Sequence, residues 1–443
     1  MSISDSAQST TMAGKIDLAF GVNGVATIDV PGATGSIAVG VINGPGDKLY
    51  VCGTAQIHGT SKFFITALNS TGNVISEFGD NGYVIGEFGE AKEESHATEL
   101  LLSGNKLLLV GASYIGADPY PALAQIDLLG NFDTTFGENG QGKIVIHLPG
   151  PPGTSSDQGY SDTFKPDSTS SDGTQIGSVT ALGAGKILLS HYFFRPGAPS
   201  YGVILRTLAN GSLDTDFVGV GYLAVIAPGY KNAQTQIQSV TVDSEGRYVA
   251  CGSLYDLGSS PVKTFFARYS SEGEPDSTFG PQGFRIGGNP DGLSGGARAE
   301  VLIPLESGSI LSLGGSVHDP YVGQLMKLKE NGEPDPDFNR GEPHNTQLAE
   351  SSTLWKTLTR QADGKLVVAG AIDQQKNSFV FDIVVARFDK TGKLDPHFND
   401  GPGWARTRLS SKTDGAYAIA LQPDKIVIAG LSQSKGIVVR YHA

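Results

Sequence analysis

One short phrase recurs seven times along this chain: a glycine, a phenylalanine six residues later, and usually Leu-Asp or Pro-Asp between them. The glycines are Gly14, Gly72, Gly130, Gly211, Gly273, Gly332 and Gly392, and the phenylalanines are Phe20, Phe78, Phe136, Phe217, Phe279, Phe338 and Phe398. A period of about 60 residues indicates one supersecondary unit per repeat, with each unit burying its apolar surface against its neighbours. The repeat therefore limits the fold to a closed ring or an open stack of small units.

Each repeat contains four short segments with β-strand character and no helical pattern. In the first repeat they cover residues 36–39, 48–53, 63–68 and 83–86, which are rich in β-branched and aromatic residues and separated by Gly, Asp and Asn. The second segment recurs as Lys, Arg or Ser with a glycine five residues later, and only the third repeat departs, with Lys186 followed by His191. Four antiparallel strands in each of seven repeats predict an all-β, seven-bladed β-propeller.

The two ends of the repeat array favour a closed ring over a solenoid. The array starts with the last strand of one repeat, near residues 25–30, and finishes with three strands of another. A solenoid would need polar caps, whereas these ends complement each other. We therefore expect the N-terminal strand to close the last blade. We also expect a flexible tail at residues 1–13 and a single propeller over 14–443, with an insertion at about 149–175.

Composition and charge exclude several classes of function. The net charge of −13 is unfavourable for a nucleic-acid surface, which needs basic side chains to neutralise phosphates. The sequence contains no run of 18 or more apolar residues, the length needed to span a bilayer. We therefore expect a soluble, acidic protein without membrane insertion. The N-terminus lacks the pattern of a Sec signal, which favours the cytoplasm or export without such a signal. Cys52 and Cys251 occupy equivalent strand positions in separate repeats and are interpreted as buried core residues.

A second periodic pattern predicts ion pairs around the ring. Five residues before the repeat glycine, five repeats carry Arg or Lys, and three residues after it they carry Asp. In the first repeat both positions are apolar, Ala67 and Ile75. Both charged residues of a buried pair are expected to be lost together, because one unpaired buried charge destabilises the fold more than replacement of both residues by apolar ones. We therefore predict a structural basic–acidic pair in each of the five repeats.

The phrase Gly-x-Leu-Asp-x-x-Phe-Gly-x-x-Gly, with the Gly-Lys-Leu-Val-Val-Ala-Gly segment at 364–370, resembles the bacterial delta-60 repeat family. The resemblance covers nearly the whole chain and implies a β-propeller-like repeat protein, without a general catalytic motif to transfer. Departures occur at Val218, Asn339 and Asn399, where Gly would follow the Phe, and at Ile75.

Function is expected where the repeats differ, on the face that carries the outer-to-inner loops and the loops after the second strands. The insertion at 149–175 and the segment 191–195, His-Tyr-Phe-Phe-Arg, both belong to the third repeat. Aromatic rings and polar tips on such loops suit saccharides and other polar ligands. The candidate ligand-binding residues are Tyr192, Phe194, Arg195, Tyr114, Tyr255, His318 and Tyr321. The resulting hypothesis is a binding or interaction module for a small polar ligand, a carbohydrate or a protein partner.

An enzyme with its site at the mouth of the central channel is the alternative hypothesis. Polar residues on the innermost strands and nearby loops provide catalytic candidates for a hydrolase or lyase, with one acid and one base: Glu99, Glu300, His96 and His344. The strand pattern alone leaves open whether the two glutamates face the channel or a neighbouring blade. A scaffold without a ligand is the third possibility. No metal-ligand spacing is present, and no cofactor or metal is expected.

Overall fold

The computed structural model describes residues 12–116, 118–148, 178–193, 200–230, 233–256, 262–287, 296–317, 320–375, 378 and 380–443. The proposed insertion at 149–175 and most of the tail at 1–13 lie outside these ranges. Of the tail, Met12 and Ala13 are described, and Ala13 is buried against the blade that contains Phe398.

The described residues form 28 strands arranged in seven four-stranded antiparallel sheets, which are the blades of a β-propeller. From the innermost strand outward, the first blade is β2 (Ala33–Asn43), β3 (Leu49–Ile57), β4 (Thr60–Leu68) and β5 (Tyr83–Gly86), and the second is β6 (Glu94–Ser103), β7 (Lys106–Ile115), β8 (Asp118–Asp127) and β9 (Lys143–Val145). The third is β10 (Val179–Ala181), β11 (Ile187–Phe193), β12 (Tyr201–Thr207) and β13 (Tyr222–Val225), and the fourth is β14 (Ala233–Val242), β15 (Tyr248–Asp256), β16 (Lys263–Tyr269) and β17 (Phe284–Ile286). The fifth is β18 (Ala297–Pro304), β19 (Ile310–Ser316), β20 (Gly323–Leu328) and β21 (His344–Thr346), and the sixth is β22 (Thr353–Arg360), β23 (Leu366–Asp373), β24 (Phe381–Phe388) and β25 (Trp404–Thr407). The seventh is β26 (Asp414–Gln422), β27 (Lys425–Ser432), β28 (Lys435–His442) and β1 (Val25–Ile28).

Short 3₁₀ segments of three residues occupy some of the connections. They are Pro45–Asp47, Glu138–Gly140, Gly183–Gly185, Ser277–Phe279, Pro281–Gly283, Glu306–Gly308, Asn339–Gly341 and Leu348–Glu350. Longer helices are absent from the described residues, in agreement with the all-β prediction.

The ring closes through the pairing of β1 with β28. Val25 lies opposite Val439 and Ile28 lies opposite Gly436 in an antiparallel ladder. The N-terminal strand thus becomes the outermost strand of the seventh blade. The predicted closure of the last blade is confirmed.

The hydrophobic core is divided among the seven contacts between adjacent blades. One cluster, for example, joins Leu107 and Leu109 of the second blade to Phe63 and Ile65 of the first. Because each sheet packs against a neighbour on both faces, its middle strands read as continuous apolar runs. The repeat phenylalanines belong to these clusters and are almost completely buried.

The predicted ion pairs form in all five repeats. The basic and acidic side chains are 2.6–2.8 Å apart in Arg206–Asp214, Arg268–Asp276, Lys327–Asp335, Arg387–Asp395 and Arg440–Asp17. All four guanidinium groups of these pairs also lie 4.5–4.9 Å above the ring centre of the repeat phenylalanine, as Arg387 does over Phe398. In the first repeat the same backbone bridge persists without the charges, since the Ile75 amide donates to the Ala67 carbonyl at 2.8 Å.

A β-bulge interrupts the innermost strand of six blades at the same position. The extra residues are Val39, Thr98, Gln238, Glu300, Lys356 and Tyr417. Each bulge brings an inner-strand carbonyl close to the glycine of the second strand. A Cβ atom at Gly252 would lie 1.8 Å from the Gln236 carbonyl oxygen, and one at Gly370 would lie 1.9 Å from that of Leu354. The glycine of the second strand is therefore required by the bulge beside it.

Candidate functional site

Two regions of the described structure combine polar chemistry with partial exposure. The first is an arc of aromatic and histidine rings on the loop face, above the second, third and fourth blades. The second is the central channel, which all seven innermost strands line. The arc consists of His96, Tyr114, Tyr120, His147, Tyr192 and Tyr255, and is called the aromatic arc below.

In the second blade, the aromatic arc begins with two rings on neighbouring strands. His96 near the start of β6 and Tyr114 near the end of β7 make an edge-to-face contact, with 5.0 Å between ring centres. His96 Nε2 is also 3.5 Å from the carboxylate of Glu94. Burial lowers the pKa of His96, and the Glu94 carboxylate opposes this shift. The pair therefore presents a neutral imidazole and a phenol, both half-buried, at the loop face.

A second ring pair lies on the outer half of the same blade. Tyr120 on β8 and His147, which follows β9, have ring centres 4.9 Å apart. The His147 side chain is exposed and that of Tyr120 is half-buried. Since strand β8 starts at this face and β9 ends there, the fold places both rings beside the strand ends that carry Tyr114. His147 was not among the sequence candidates, because an isolated histidine after a short strand gives no distinctive pattern.

The third and fourth blades complete the aromatic arc. Tyr192 lies near the end of β11 and Tyr255 near the end of β15. Burial raises the pKa of Tyr192; a hydrogen bond with Ser200 opposes the shift, and the nearby Tyr255 phenol adds to it. The two tyrosines therefore lie on the same face of adjacent blades, close enough for one phenol to influence the other, and both remain half-buried.

Between these rings, His191 links the second and third blades from below. Its ring is buried, and Nε2 is 3.1 Å from the Pro119 carbonyl oxygen. Burial lowers the pKa of His191 to about 4, against the opposing effect of this hydrogen bond. The imidazole is therefore neutral and belongs to the support of the arc, not to its surface.

The other sequence candidates lie elsewhere. Tyr321 is half-buried beside β20 of the fifth blade, on the same face, where its carbonyl accepts from the Thr353 amide at 2.8 Å. His344 starts β21, the outermost strand of the fifth blade, and packs against Phe388 with 5.5 Å between ring centres. The structure thus places His344 away from the channel, at the opposite face. Phe194, Arg195 and His318 lie outside the described residues.

The central channel contains a cavity of about 440 Å³. Glu99 and Glu300 both line it, together with Lys356 and Tyr417. The bulges explain why strand alternation could not assign these orientations, because an extra residue changes the alternation of side chains along the strand. Glu300 accepts a 2.6 Å hydrogen bond from Arg298 Nε.

Glu99 has a structural partner in the next blade. Its carboxylate accepts a hydrogen bond from the Val179 amide at 3.1 Å. Ser178 and Ser239 make equivalent contacts, accepting from the amides of Val240 at 2.7 Å and Leu302 at 3.2 Å. Burial raises the pKa of Glu99 to about 7, and the Val179 amide opposes the shift. Glu99 therefore occupies a position that joins adjacent blades. The sequence did not predict the equivalent roles of Ser178 and Ser239, because these serines belong to no local motif.

Among the residues that the structure describes, no group of three or more His, Cys, Asp or Glu side chains is arranged to hold a metal ion. Within the same part of the chain, no helix is both long and apolar enough to cross a membrane.

One family model agrees with a propeller repeat. The family described as "Domain of unknown function (DUF5122) beta-propeller" matches residues 361–398, which include β23, β24 and the repeat phrase ending at Phe398. No curated protein matches the chain.

Several solved structures are similar to the chain at low identity. BamB from Moraxella catarrhalis is 12% identical with a TM-score of 0.38, over 91% of this chain and 84% of that one. A protein of unknown function from Dyadobacter fermentans is 10% identical with a TM-score of 0.45, over 95% and 98%. Sqt1 from Chaetomium thermophilum is 11% identical with a TM-score of 0.42, over 93% and 98%.

Proposed function

We propose that this propeller is a binding module that takes a saccharide, or a polar ligand of similar shape, on the aromatic arc. The observation that supports this proposal is that the strand ends of three adjacent blades place six rings on one face. Five of these rings are half-buried and His147 is exposed, so none is fully committed to a core between blades. A core role would bury them as it buries the repeat phenylalanines.

The chemistry of the arc suits a ligand with flat apolar faces and hydroxyl groups. A tyrosine ring offers an apolar face, while its hydroxyl group donates and accepts hydrogen bonds. A neutral imidazole provides one donor and one acceptor, and burial favours that form of His96. Rings supported by strand ends are also oriented before a ligand arrives, which reduces the entropy lost on binding.

The test is a screen of the full chain against an oligosaccharide array, followed by calorimetric titration of each hit. Tyr192→Ala and Tyr114→Ala should each weaken binding about tenfold, the usual effect of removing an aromatic contact from a binding site. Tyr321→Ala is the matched control, because it removes the same ring from the same face outside the arc. Equal affinity in all three variants, or no saccharide hit for the unmodified chain, would contradict the proposal.

A further inference from the structure

The two outer strands of the sixth blade carry an acidic and a basic residue opposite each other at the loop face. Asp382, near the start of β24, lies opposite Arg408, one step beyond the last paired residues of the β24–β25 ladder. Arg406, two residues before Arg408, lies on the same side of the chain and reaches the same carboxylate. The sixth blade thus places two arginines on one aspartate.

The corresponding pair has the opposite polarity in the next two blades around the ring. Lys435 lies 2.6 Å from Asp29 in the seventh blade, and Lys62 lies 2.5 Å from Glu87 in the first. The three pairs correspond because each third-strand residue lies two before the partner of the second-strand glycine. In the seventh and first blades the carboxylate is on the outermost strand. The sixth blade reverses this order, and it adds Arg406 at a position where the other two are uncharged.

The Asp382 side chain is completely buried, and its carboxylate is saturated with hydrogen-bond donors. Arg406 Nε donates to Oδ2 at 2.6 Å, and Arg408 Nε lies 3.2 Å from both oxygens. Gln374 Nε2 donates to Oδ1 at 2.8 Å. The carboxylate therefore faces two guanidinium groups, and its single negative charge balances only one of them.

The loop that follows β25 is held in place by further hydrogen bonds around this cluster. The buried Asp414 carboxylate accepts from the amides of Leu409 and Ser410 at 2.8 and 3.0 Å. Gln374 Nε2 is also 3.3 Å from the carbonyl oxygen of Lys412. The segment that carries the second guanidinium is thus ordered before any ligand arrives, which reduces the entropy lost on binding.

Arg408 presents its terminal nitrogens to solvent. Its side chain is 52% exposed, and within the described part of the chain only its Nε bonds to protein. The free edge of a guanidinium can bind two oxygens of a carboxylate or phosphate at once. Lys412 is exposed in the same loop, whereas the neighbouring carboxylates of Asp373, Asp382 and Asp414 are all buried. The surface of the cluster is therefore cationic.

We propose that Arg408 and Lys412 bind an oxyanion, the carboxylate or phosphate group of an acidic ligand, at the loop face of the sixth blade. Asp382 holds the Arg408 guanidinium by one edge and so orients the other edge toward the ligand. Arg406 neutralises Asp382, which leaves the charge of Arg408 for the oxyanion. The sixth blade adjoins no blade of the aromatic arc, so this site does not depend on the function proposed for the arc.

The test is calorimetric titration of the full chain with inorganic phosphate and with acetate at low ionic strength, where screening is weak. Arg408→Gln should weaken binding of the preferred anion at least about tenfold, because it removes a charge-assisted bidentate contact. Arg408→Lys keeps the charge without the planar fork and should recover only part of the affinity. The anion that binds more tightly distinguishes a carboxylate ligand from a phosphate ligand.

A control variant separates this site from general attraction to positive charge. Lys435→Gln removes one charge from a similarly exposed side chain on the same face and should not weaken anion binding. The melting temperature of Arg408→Gln should stay close to that of the unmodified chain, because Asp382 keeps its bonds to Arg406 and Gln374. The proposal is overturned if neither anion binds at roughly 10 mM, if Arg408→Gln leaves the affinity unchanged, or if Lys435→Gln weakens binding equally.

Discussion

At position 191 a histidine occupies the site that glycine holds in the other six blades. There the innermost strand β10 begins only at Val179, so its described part does not reach the position opposite His191. The side chain instead reaches Pro119 of the neighbouring blade. A carbonyl only accepts, so Nε2 carries the proton, and Nδ1 has no hydrogen-bond partner among the described residues.

This buried imidazole should make the protein sensitive to acid. Its pKa is about 4 in the fold and about 6.5 when unfolded, so the unfolded chain binds more protons between these values and stability falls as pH drops from 6.5 to 4. The contribution of His191 amounts to about 3 kcal/mol over that interval. His191→Gln keeps an N–H donor but does not titrate. Between pH 7 and pH 4, its free energy of unfolding should therefore fall by about 3 kcal/mol less than that of the unmodified chain, as measured by urea unfolding.

A substitution that retains the buried imidazole provides the control for this measurement. Tyr192→Phe should leave the pH dependence of the unfolding free energy between pH 7 and pH 4 unchanged, because His191 is still present and burial raises the pKa of Tyr192 above its usual range. If the profiles of His191→Gln and the unmodified chain run parallel, His191 is not buried in its neutral form.

At the scale of the repeated element, the ion pair and the phenylalanine act as one unit. Arg387 Nε donates to the Asp395 carboxylate at 2.8 Å while its guanidinium lies over Phe398 at 4.9 Å. In the fourth blade the equivalent guanidinium also contacts the neighbouring blade. Arg268 donates to the Glu330 carbonyl of the fifth blade at 2.5 Å. The pair therefore holds a turn within its own blade and also joins neighbouring blades.

The first repeat suggests a direct test of this unit, since Ala67 and Ile75 form a natural double replacement. Arg387→Ala should lower the free energy of unfolding by about 3 kcal/mol, because it leaves the buried Asp395 carboxylate without its closest cation. Arg387→Ala with Asp395→Ile should cost less than the single change, as a double-mutant cycle by chemical denaturation would show. A double variant that loses the sum of both single effects would contradict the coupling.

Sequence inspection could predict this unit because its members recur at fixed short spacings, eight residues apart for Arg387 and Asp395. It could not assign the channel side chains, because the bulges at Glu300 and Lys356 shift the alternation on which such assignments depend. Contacts such as that of Ser178 with Val240 join residues 62 positions apart and belong to no local pattern. The aromatic arc is similar, since Tyr192 and Tyr255 share one face only because their two blades are adjacent.

At the scale of the whole molecule, ring closure joins the two ends of the chain. Besides the β1–β28 ladder, Arg440 Nε donates to the Asp17 carboxylate at 2.8 Å, and Arg440 also donates to the Ser70 carbonyl of the first blade at 2.8 Å. Ile28 is completely buried at the same junction. Closure thus combines a strand pairing, an ion pair and a core contact.

Removal of residues 1–31 should therefore open the ring. The truncated chain would expose β28 as an edge strand and leave Arg440 without Asp17, so we expect a markedly lower melting temperature and self-association, measured by calorimetry and light scattering. Removal of residues 1–11 alone is the control and should change neither property. A monomer of normal melting temperature after the longer deletion would show that closure does not hold the ring together.

The bond between Arg440 and Asp17 also joins residues 423 positions apart in the sequence. During synthesis, β1 leaves the ribosome hundreds of residues before β28, the strand with which it pairs, exists. The six intermediate blades can form as they emerge, because each is built from strands that follow one another directly. The seventh blade cannot, so for most of its time on the ribosome the growing chain carries an unsatisfied strand that is open to chaperones, or to the same strand of another nascent copy.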